Sequence, residues 1–350
     1  MTRPNGFDVD GLVPEPSREA VRRGLAEVFG PEARGSLTPL TGGRSGAVTL
    51  RAVSGEKSAV VRVVVNPLPF NDPVRQFAMM ATAAEDGVAP PVYFADPAAG
   101  VVISAFIESQ PVGQAFRSDP GTFAALGAML RRLHDGPPGP EFLDVFSCIE
   151  GARAVIESAG QKLPPLVERY LSRFAEVRSA LQPHMTRGAS HNDLNPGNIL
   201  FDGNRLWIID WESAWQNDPM LDLATVRHWF RLPPAAEELL LNGYFGGEPT
   251  PFQRAKLDLM QQVVSINYAS VFLLLALQDG QGIPPLDPPL ESIPEFAEAT
   301  PKLADGSLRL DTAAGKTEFA LILVKDALVV LDQPVTISAL ATIGGGNPLQ

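Results

Sequence analysis

The sequence predicts an α+β protein with two lobes, a small N-terminal lobe with an antiparallel sheet and a larger, mainly helical C-terminal lobe. The chain has 350 residues, of which 45% are apolar, and this length is enough for about two hydrophobic cores. Two strand-like runs at residues 47–53 and 59–65 flank a hairpin signal at Ser54-Gly55-Glu56-Lys57. Helical patterns dominate the later part of the chain. We therefore expect lobes at residues 1–107 and 108–350.

The elements of the N-terminal lobe follow in order. Residues 16–29 have the pattern of a first helix, with Ser17 placed to cap it. The predicted hairpin comes next, and residues 73–85 have helical periodicity with Phe77 and Met80 on one face. Further strands are predicted at residues 92–95 and 101–107.

The C-terminal lobe begins with an amphipathic helix at residues 123–134. Two short hydrophobic segments around Asp202-Gly203 then predict a second hairpin. Later helices are expected at residues 223–230, 260–277 and 316–331. The tail from about residue 283 opens with a proline-rich segment. Two interpretations of this tail stay open, packing on the C-terminal lobe or a homodimer contact.

Composition limits the possible partners. The net charge of −12 argues against a nucleic-acid partner, because phosphate backbones require basic surfaces. The single cysteine, Cys148, excludes an intrachain disulfide and favours a reducing compartment. Met1 leads into polar sequence without a signal peptide, and the apolar run at 319–331 is interrupted by Lys325 and Asp326. We expect a cytoplasmic protein without a membrane partner.

The most specific chemical pattern lies at residues 190–212. Asp193 comes two residues after His191 and five before Asn198, the arrangement of a kinase catalytic loop. Asp210 ends the apolar run 206–209, which reads as a short buried strand, and a carboxylate there beside an asparagine suits Mg²⁺. The pattern predicts transfer of a phosphoryl group from ATP, with Asp193 orienting a hydroxyl and Asn198 and Asp210 binding Mg²⁺. An ordinary β-hairpin with surface acids is the alternative.

This segment resembles the aminoglycoside phosphotransferase and choline kinase superfamily, small-molecule kinases with a protein-kinase-like fold. The resemblance covers about residues 36–280 and includes Ile209-Asp210-Trp211-Glu212 and Asp222-Leu223-Ala224. Asn192 and Asn217-Asp218-Pro219 favour the bacterial choline or ethanolamine kinase branch, since aminoglycoside kinases usually have glycine at the position of Asn192. The resemblance implies a bilobal protein-kinase-like fold that uses ATP and Mg²⁺ to phosphorylate a small hydroxyl acceptor.

The nucleotide site is predicted from weaker signals. Glycines in a turn before the first hairpin let backbone N–H groups approach phosphate, although such a turn can also be only a hairpin. Arg62 stands where kinases place the cation that binds the phosphates, the alternative being a strand-edge cation with its head in water. Gln76 lies near the position where a kinase glutamate pairs with that cation, and could offer a hydrogen bond without charge. Ser104 and Phe106 match the inter-lobe hinge of the family, in which backbone groups bind adenine. The predicted nucleotide-binding residues are Gly42, Gly43, Ser45, Gly46, Arg62, Gln76, Ser104 and Phe106.

Several assignments keep two interpretations. His191 could accept a proton, but the resemblance implies a scaffold residue that bonds backbone near Asp210. Glu212 and Asp218 could contact a substrate or simply face water. The acceptor is expected to be a small, amine-bearing molecule of the choline, ethanolamine or aminoglycoside type, although Tyr268 and its neighbours read more as core than as an aromatic cage. A nucleotide-binding pseudokinase with a regulatory or scaffolding role is the alternative function.

Overall fold

The computed structural model describes residues 6–40, 46–280 and 282–345. Within these ranges the chain forms nine strands and twelve α-helices. The strands are β1 (Ser36–Pro39), β2 (Ala47–Ser54), β3 (Lys57–Val64), β4 (Val92–Asp96), β5 (Val101–Ala105), β6 (Gly188–Ser190), β7 (Ile199–Phe201), β8 (Leu206–Ile208) and β9 (Trp215–Asn217). The helices are α1 (Arg18–Phe29), α2 (Pro73–Glu85), α3 (Val112–Ser118), α4 (Gly121–Asp135), α5 (Val145–Ser158), α6 (Pro165–Leu181), α7 (Met220–Phe230), α8 (Pro234–Phe245), α9 (Pro251–Gln278), α10 (Phe296–Ala304), α11 (Ala313–Leu331) and α12 (Pro334–Gly345).

The chain forms two compact units. The first comprises residues 1–141, 188–216 and 233–247, and the second comprises residues 142–187, 217–232 and 248–350. An antiparallel sheet lies in the N-terminal part of the chain and a larger helical portion follows it. This architecture confirms the predicted α+β class.

The main sheet of the first unit has the strand order β1-β2-β3-β5-β4, and its paired strands are antiparallel. Val61 and Val63 of β3 are fully buried and belong to the core that includes Val21 and Leu25 of α1. Because side chains alternate along a strand, Arg62 points to the opposite face of the sheet. The sheet thus has its hydrophobic core on one face and Arg62, a candidate site residue, on the other.

The start of α1 differs from the prediction. Ser17 precedes the helix but makes no side-chain capping bond. Its hydroxyl instead donates a hydrogen bond to the carbonyl of Ala99, at 2.9 Å. A tertiary partner has therefore replaced the local cap.

Two glycines allow α4 and α8 to pack closely. A Cβ atom at Gly127 of α4 would lie 2.1 Å from the carbonyl oxygen of Leu240 in α8. A Cβ atom at Gly243 of α8 would lie 2.1 Å from the carbonyl oxygen of Ala124 in α4. Neither contact can be relieved by a side-chain rotation, because both involve backbone.

We expect Gly127→Ala to lower the free energy of unfolding by about 1–3 kcal/mol, because the two helices must separate to accept a methyl group. Gly151→Ala in α5 is the matched control, since a Cβ atom there meets nothing within 4 Å. This control should raise the free energy of unfolding by about 0.4–1 kcal/mol. Denaturant titration measures both changes, and equal midpoints for the two variants would contradict the packing argument.

The second unit is organised around α9. This helix packs against α5, α6, α7, α11 and α12. Among the described residues it is the one helix long and apolar enough to cross a membrane, and 67% of its apolar window is buried inside the structure. Such burial is expected of a core helix. The tail contributes α10, α11 and α12, of which α11 packs along α9.

Candidate active site

The loop between β6 and β7 holds Asp193 in a defined orientation. Asn195 donates from Nδ2 to Oδ1 of Asp193 at 3.1 Å, and Asn198 donates from Nδ2 to Oδ2 at 3.1 Å. The Nδ2 of Asn198 also contacts the Asp193 carbonyl oxygen at 2.8 Å. Two amides therefore orient one carboxylate, which is half-buried.

The β7–β8 hairpin brings Asn198 close to Asp210. Ile199 pairs with Ile208, and the Ile209 N–H donates to the Asn198 carbonyl at 3.0 Å. Asp210 follows directly in the left-handed region, with φ 63° and ψ 69°. A non-glycine residue in this conformation is uncommon and is often found at functional sites. The predicted proximity of Asn198 and Asp210 follows from the register of this hairpin.

His191 lies under the loop as part of its scaffold. The residue is fully buried, and its Nδ1 accepts the Asp193 N–H at 3.3 Å. Nε2 therefore carries the proton and donates to the Ile209 carbonyl at 2.9 Å. This geometry confirms the expectation that His191 bonds backbone beside Asp210.

Asn192 has a backbone that explains its residue type. Its φ of 65° is left-handed, a conformation that glycine and asparagine adopt most readily. The side chain adds what glycine could not, because Nδ2 donates to the carbonyls of Ser213 at 2.8 Å and Trp215 at 3.3 Å. Asn192 therefore ties the loop of Asp193 to the segment that follows Asp210.

Arg62 contacts two acids of that segment. Its Nη2 lies 2.8 Å from Oε2 of Glu212 and 3.1 Å from Oδ1 of Asp210. Burial and the neighbouring Asp210 carboxylate raise the pKa of Glu212 to about 7, while the Arg62 guanidinium opposes the shift. The sequence left two interpretations of Glu212 open, contact with a substrate or exposure to water. Its position two residues after Asp210 was the signal that could have placed it at this site.

The expected hydrogen bond between Gln76 and Arg62 does not form, and this part of the prediction is wrong. The Gln76 amide, which is buried, donates instead to the Asn71 carbonyl at 2.8 Å. The residue before it, Arg75, donates from Nη2 to the Glu212 carbonyl at 3.3 Å and from Nη1 to the Pro69 carbonyl at 2.6 Å. Helix α2 therefore reaches the site through Arg75, which sequence reasoning had not assigned.

The other predicted nucleotide residues lie on the main sheet or near it. Ser104 is buried on β5, where it pairs with Val60 of β3. Phe106 follows β5, and the Arg51 guanidinium lies 3.9 Å from its ring centroid. Gly46 is exposed and directly precedes β2. The predictions for Gly42, Gly43 and Ser45 fall outside the described residues.

The donor set suits a hard cation. Oδ1 of Asp210 is buried and accepts no hydrogen bond, although it is ion-paired with Arg62. Because Asn198 uses its Nδ2 for Asp193, its Oδ1 is the amide atom left for a metal. Among the described residues no three His, Cys, Asp or Glu side chains are grouped to hold a metal ion. The oxygens present fit Mg²⁺, which is commonly held by one or two carboxylates together with substrate phosphates.

The aromatic residues considered for an amine lie mainly in the second unit. The rings of Trp229 and Tyr268 are perpendicular with centroids 5.0 Å apart, and both residues are half-buried. Phe296 and Phe319 of the tail contact Trp229 at 5.8 Å and 6.2 Å. The tail thus completes an aromatic cluster that sequence reasoning could not place.

His228 in this cluster makes the stability of the protein depend on pH. Burial lowers the pKa of His228 to about 3, and Arg231 adds to the effect. In the unfolded chain this group titrates near 6.5. The stabilisation is therefore complete above pH 6.5 and is lost as the pH falls, because only the unfolded chain takes up the proton.

We expect His228 to lower the free energy of unfolding by about 2 kcal/mol between pH 6.5 and pH 5. His228→Phe should flatten this part of the pH profile, even if the lost bond from Gln261 weakens the fold at every pH. Denaturant titrations across this range measure the slope. A variant with the wild-type slope would show that His228 does not cause it.

The chain is similar in sequence and in structure to known proteins. LicA of Haemophilus influenzae is 29% identical over 160 residues, a match that covers 43% of this chain and 57% of that protein. The crystal structure of a choline/ethanolamine kinase family protein from Mesorhizobium loti is 25% identical, has a TM-score of 0.68 and covers 94% of this chain and 99% of its own. A structure of LicA in complex with AMP is 19% identical and has a TM-score of 0.57. The match covers 82% of this chain and 98% of that structure's chain.

These similarities confirm the predicted bilobal, protein-kinase-like fold. Residues 36–257, more than half of the chain, match the APH phosphotransferase enzyme family. The chain therefore belongs to the phosphotransferase enzyme family of small-molecule kinases.

Proposed function

We propose that this protein transfers the γ-phosphoryl group of ATP to a hydroxyl group of a small, amine-bearing acceptor. The observation that carries the proposal is the pairing of the Asp193 carboxylate with the Asn198 amide, in a loop whose backbone is bonded to the segment of Asp210. Phosphoryl transfer requires these parts, a carboxylate for the hydroxyl and oxygen ligands for a metal.

In the proposed reaction the acceptor hydroxyl donates a hydrogen bond to Asp193. The hydroxyl oxygen forms a bond to the γ-phosphorus, the bond from that phosphorus to the β,γ-bridging oxygen breaks, and ADP leaves. The proton of the hydroxyl passes to the Asp193 carboxylate. The hydrogen bonds from Asn195 and Asn198 keep the carboxylate oriented throughout.

Asn198 and Asp210 would hold Mg²⁺, which when bound neutralises phosphate charge and aligns the transferred group. Arg62 would contact phosphate oxygens, because a guanidinium binds them through two parallel hydrogen bonds. Ser104 and Phe106 are proposed to border the adenine, and Gly46 to belong to the loop that covers the phosphates.

An amine-bearing acceptor is supported by the similarity to a choline/ethanolamine kinase family protein.

The test is release of ADP from ATP and Mg²⁺ with choline, ethanolamine, aminoglycosides and sugars as acceptors. Ethylamine is the matched control for ethanolamine, since it keeps the amine and lacks the hydroxyl. We expect turnover with at least one amino alcohol and none with ethylamine. Tight binding of Mg·ATP without turnover of any acceptor would favour the pseudokinase instead.

A further inference from the structure

The guanidinium of Arg62 lies between two carboxylates, Asp210 and Glu212, that are two residues apart in the chain. Nη2 is 2.8 Å from Glu212 and 3.1 Å from Asp210, and the exposed fractions of the Arg62, Glu212 and Asp210 side chains are 17%, 25% and 25%. Two acids so close together and so poorly hydrated repel each other unless a cation is present. In this arrangement the protein supplies that cation itself.

We propose that Arg62 is an internal counter-ion that occupies Asp210 when no divalent cation is bound, and that Glu212 retains Arg62 when a cation displaces it. This inference rests on the proposed function, which assigns a divalent cation to Asp210. A cation on Asp210 would repel the guanidinium, and Glu212 gives the same nitrogen a second acceptor already within hydrogen-bonding distance. Arg62 can therefore leave Asp210 without losing its own charge partner.

The position of Glu212 is secured independently of Arg62. Arg75 of α2 donates to the Glu212 carbonyl at 3.3 Å, whereas Arg62 holds the Glu212 carboxylate. The uncharged Gln76 of α2 is bonded to Asn71 and does not contribute. Glu212 is therefore a positioning residue for Arg62, and its backbone is anchored to α2 through Arg75.

If Arg62 and a divalent cation compete for Asp210, removal of Arg62 should strengthen the binding of the cation. Arg62→Gln should bind Mg²⁺ more tightly than wild type in the absence of nucleotide, by about tenfold or more, because a competing positive charge within a few ångströms is lost. In EDTA the same variant should melt about 2–4 °C or more below wild type, since the acids are then uncompensated. Saturating Mg²⁺ should remove most of this difference. Calorimetric titration with Mg²⁺ alone and thermal unfolding measure the two effects.

Arg23→Gln is the matched control, since it removes an ion-paired arginine of the same unit whose partner is Asp96. Its melting temperature should differ from wild type equally in EDTA and in Mg²⁺. Glu212→Gln should weaken Mg²⁺ binding, because Arg62 then loses the carboxylate that retains it when a cation occupies Asp210, and adding Arg62→Gln should restore the binding. A rescue of this kind is not expected if Glu212 has a merely structural role.

Two results would overturn the inference: Mg²⁺ affinity of Arg62→Gln equal to or below wild type, or an unchanged melting deficit in Mg²⁺. If Arg62→Gln does not fold, Arg62→Lys keeps the charge on a shorter side chain, whose ammonium does not reach the position from which Nη2 contacts both acids. It should show a larger stabilisation by Mg²⁺ than wild type, and an equal stabilisation would also overturn the inference. These measurements need neither ATP nor acceptor, so they separate failure of the counter-ion from failure of the proposed reaction.

Discussion

Asp193→Asn is expected to lower kcat by about 10²–10⁴-fold, the usual contribution of a positioned acid–base group. The substitution keeps the size and shape of the side chain, and an amide oxygen can still accept a hydrogen bond from Asn198. It cannot take up the proton of the acceptor hydroxyl. Binding of nucleotide should change little, because Asp193 is not among the groups proposed to hold the phosphates or the metal.

Steady-state ADP release and nucleotide titration measure this split between kcat and binding. Asp135→Asn is the matched control, since that carboxylate is in the same unit but pairs with Arg131 on the exposed surface of α4. It should leave kcat unchanged. Turnover by Asp193→Asn at the wild-type rate would eliminate Asp193 as the group that receives the proton.

Lys256→Met is expected to lower the free energy of unfolding by about 3–5 kcal/mol, because it leaves a buried carboxylate without its cation. Lys256 of α9 lies 2.6 Å from Oδ2 of Asp218, and the two side chains are 7% and 0% exposed. The same carboxylate oxygen accepts the Thr186 N–H at 2.7 Å, and Oδ1 accepts the Met220 N–H at 3.0 Å. Asp218 is thus buried in the second unit, where it binds Lys256, Thr186 and Met220, and it does not face water.

Denaturant titration tests this expectation. Arg254→Met is the control, because it removes a cation two residues earlier on α9 whose partner Glu248 is 85% exposed. It should cost less than about 1 kcal/mol. Adding Asp218→Asn to Lys256→Met should recover part of the loss, since the uncompensated charge is then gone. A Lys256→Met variant as stable as the control would show that the buried pair contributes little.

Local patterns predicted the elements whose determinants lie close together in the chain. Residues 73–85 became α2 with the expected bounds, and Asp72 caps it through bonds to Val74 and Arg75. The hairpin around Asp202-Gly203 formed β7 and β8, because turn residues and short apolar strands carry the register locally. Within the loop from His191 to Asn198, the bonds that orient Asp193 likewise span two to five residues.

Contacts between distant residues escaped prediction. Arg62 and Glu212 are 150 residues apart, and only the folded backbone shows that Glu212 and not Gln76 binds the strand cation. Ser17 left its predicted cap for Ala99, 82 residues away. The tail gave no motif, because its role is to cover α9 with apolar side chains, and many sequences can do this.

The sequence alone thus predicted the class of small-molecule kinases, from the pattern of Asp193, Asn198 and Asp210, because the proposed chemistry depends on residue types at short, fixed spacings in one loop and one hairpin. Only the tertiary structure decided how the charges around Asp210 are balanced. That balance depends on distances of a few ångströms between strands and loops far apart in the chain, and spacing along a sequence does not contain them.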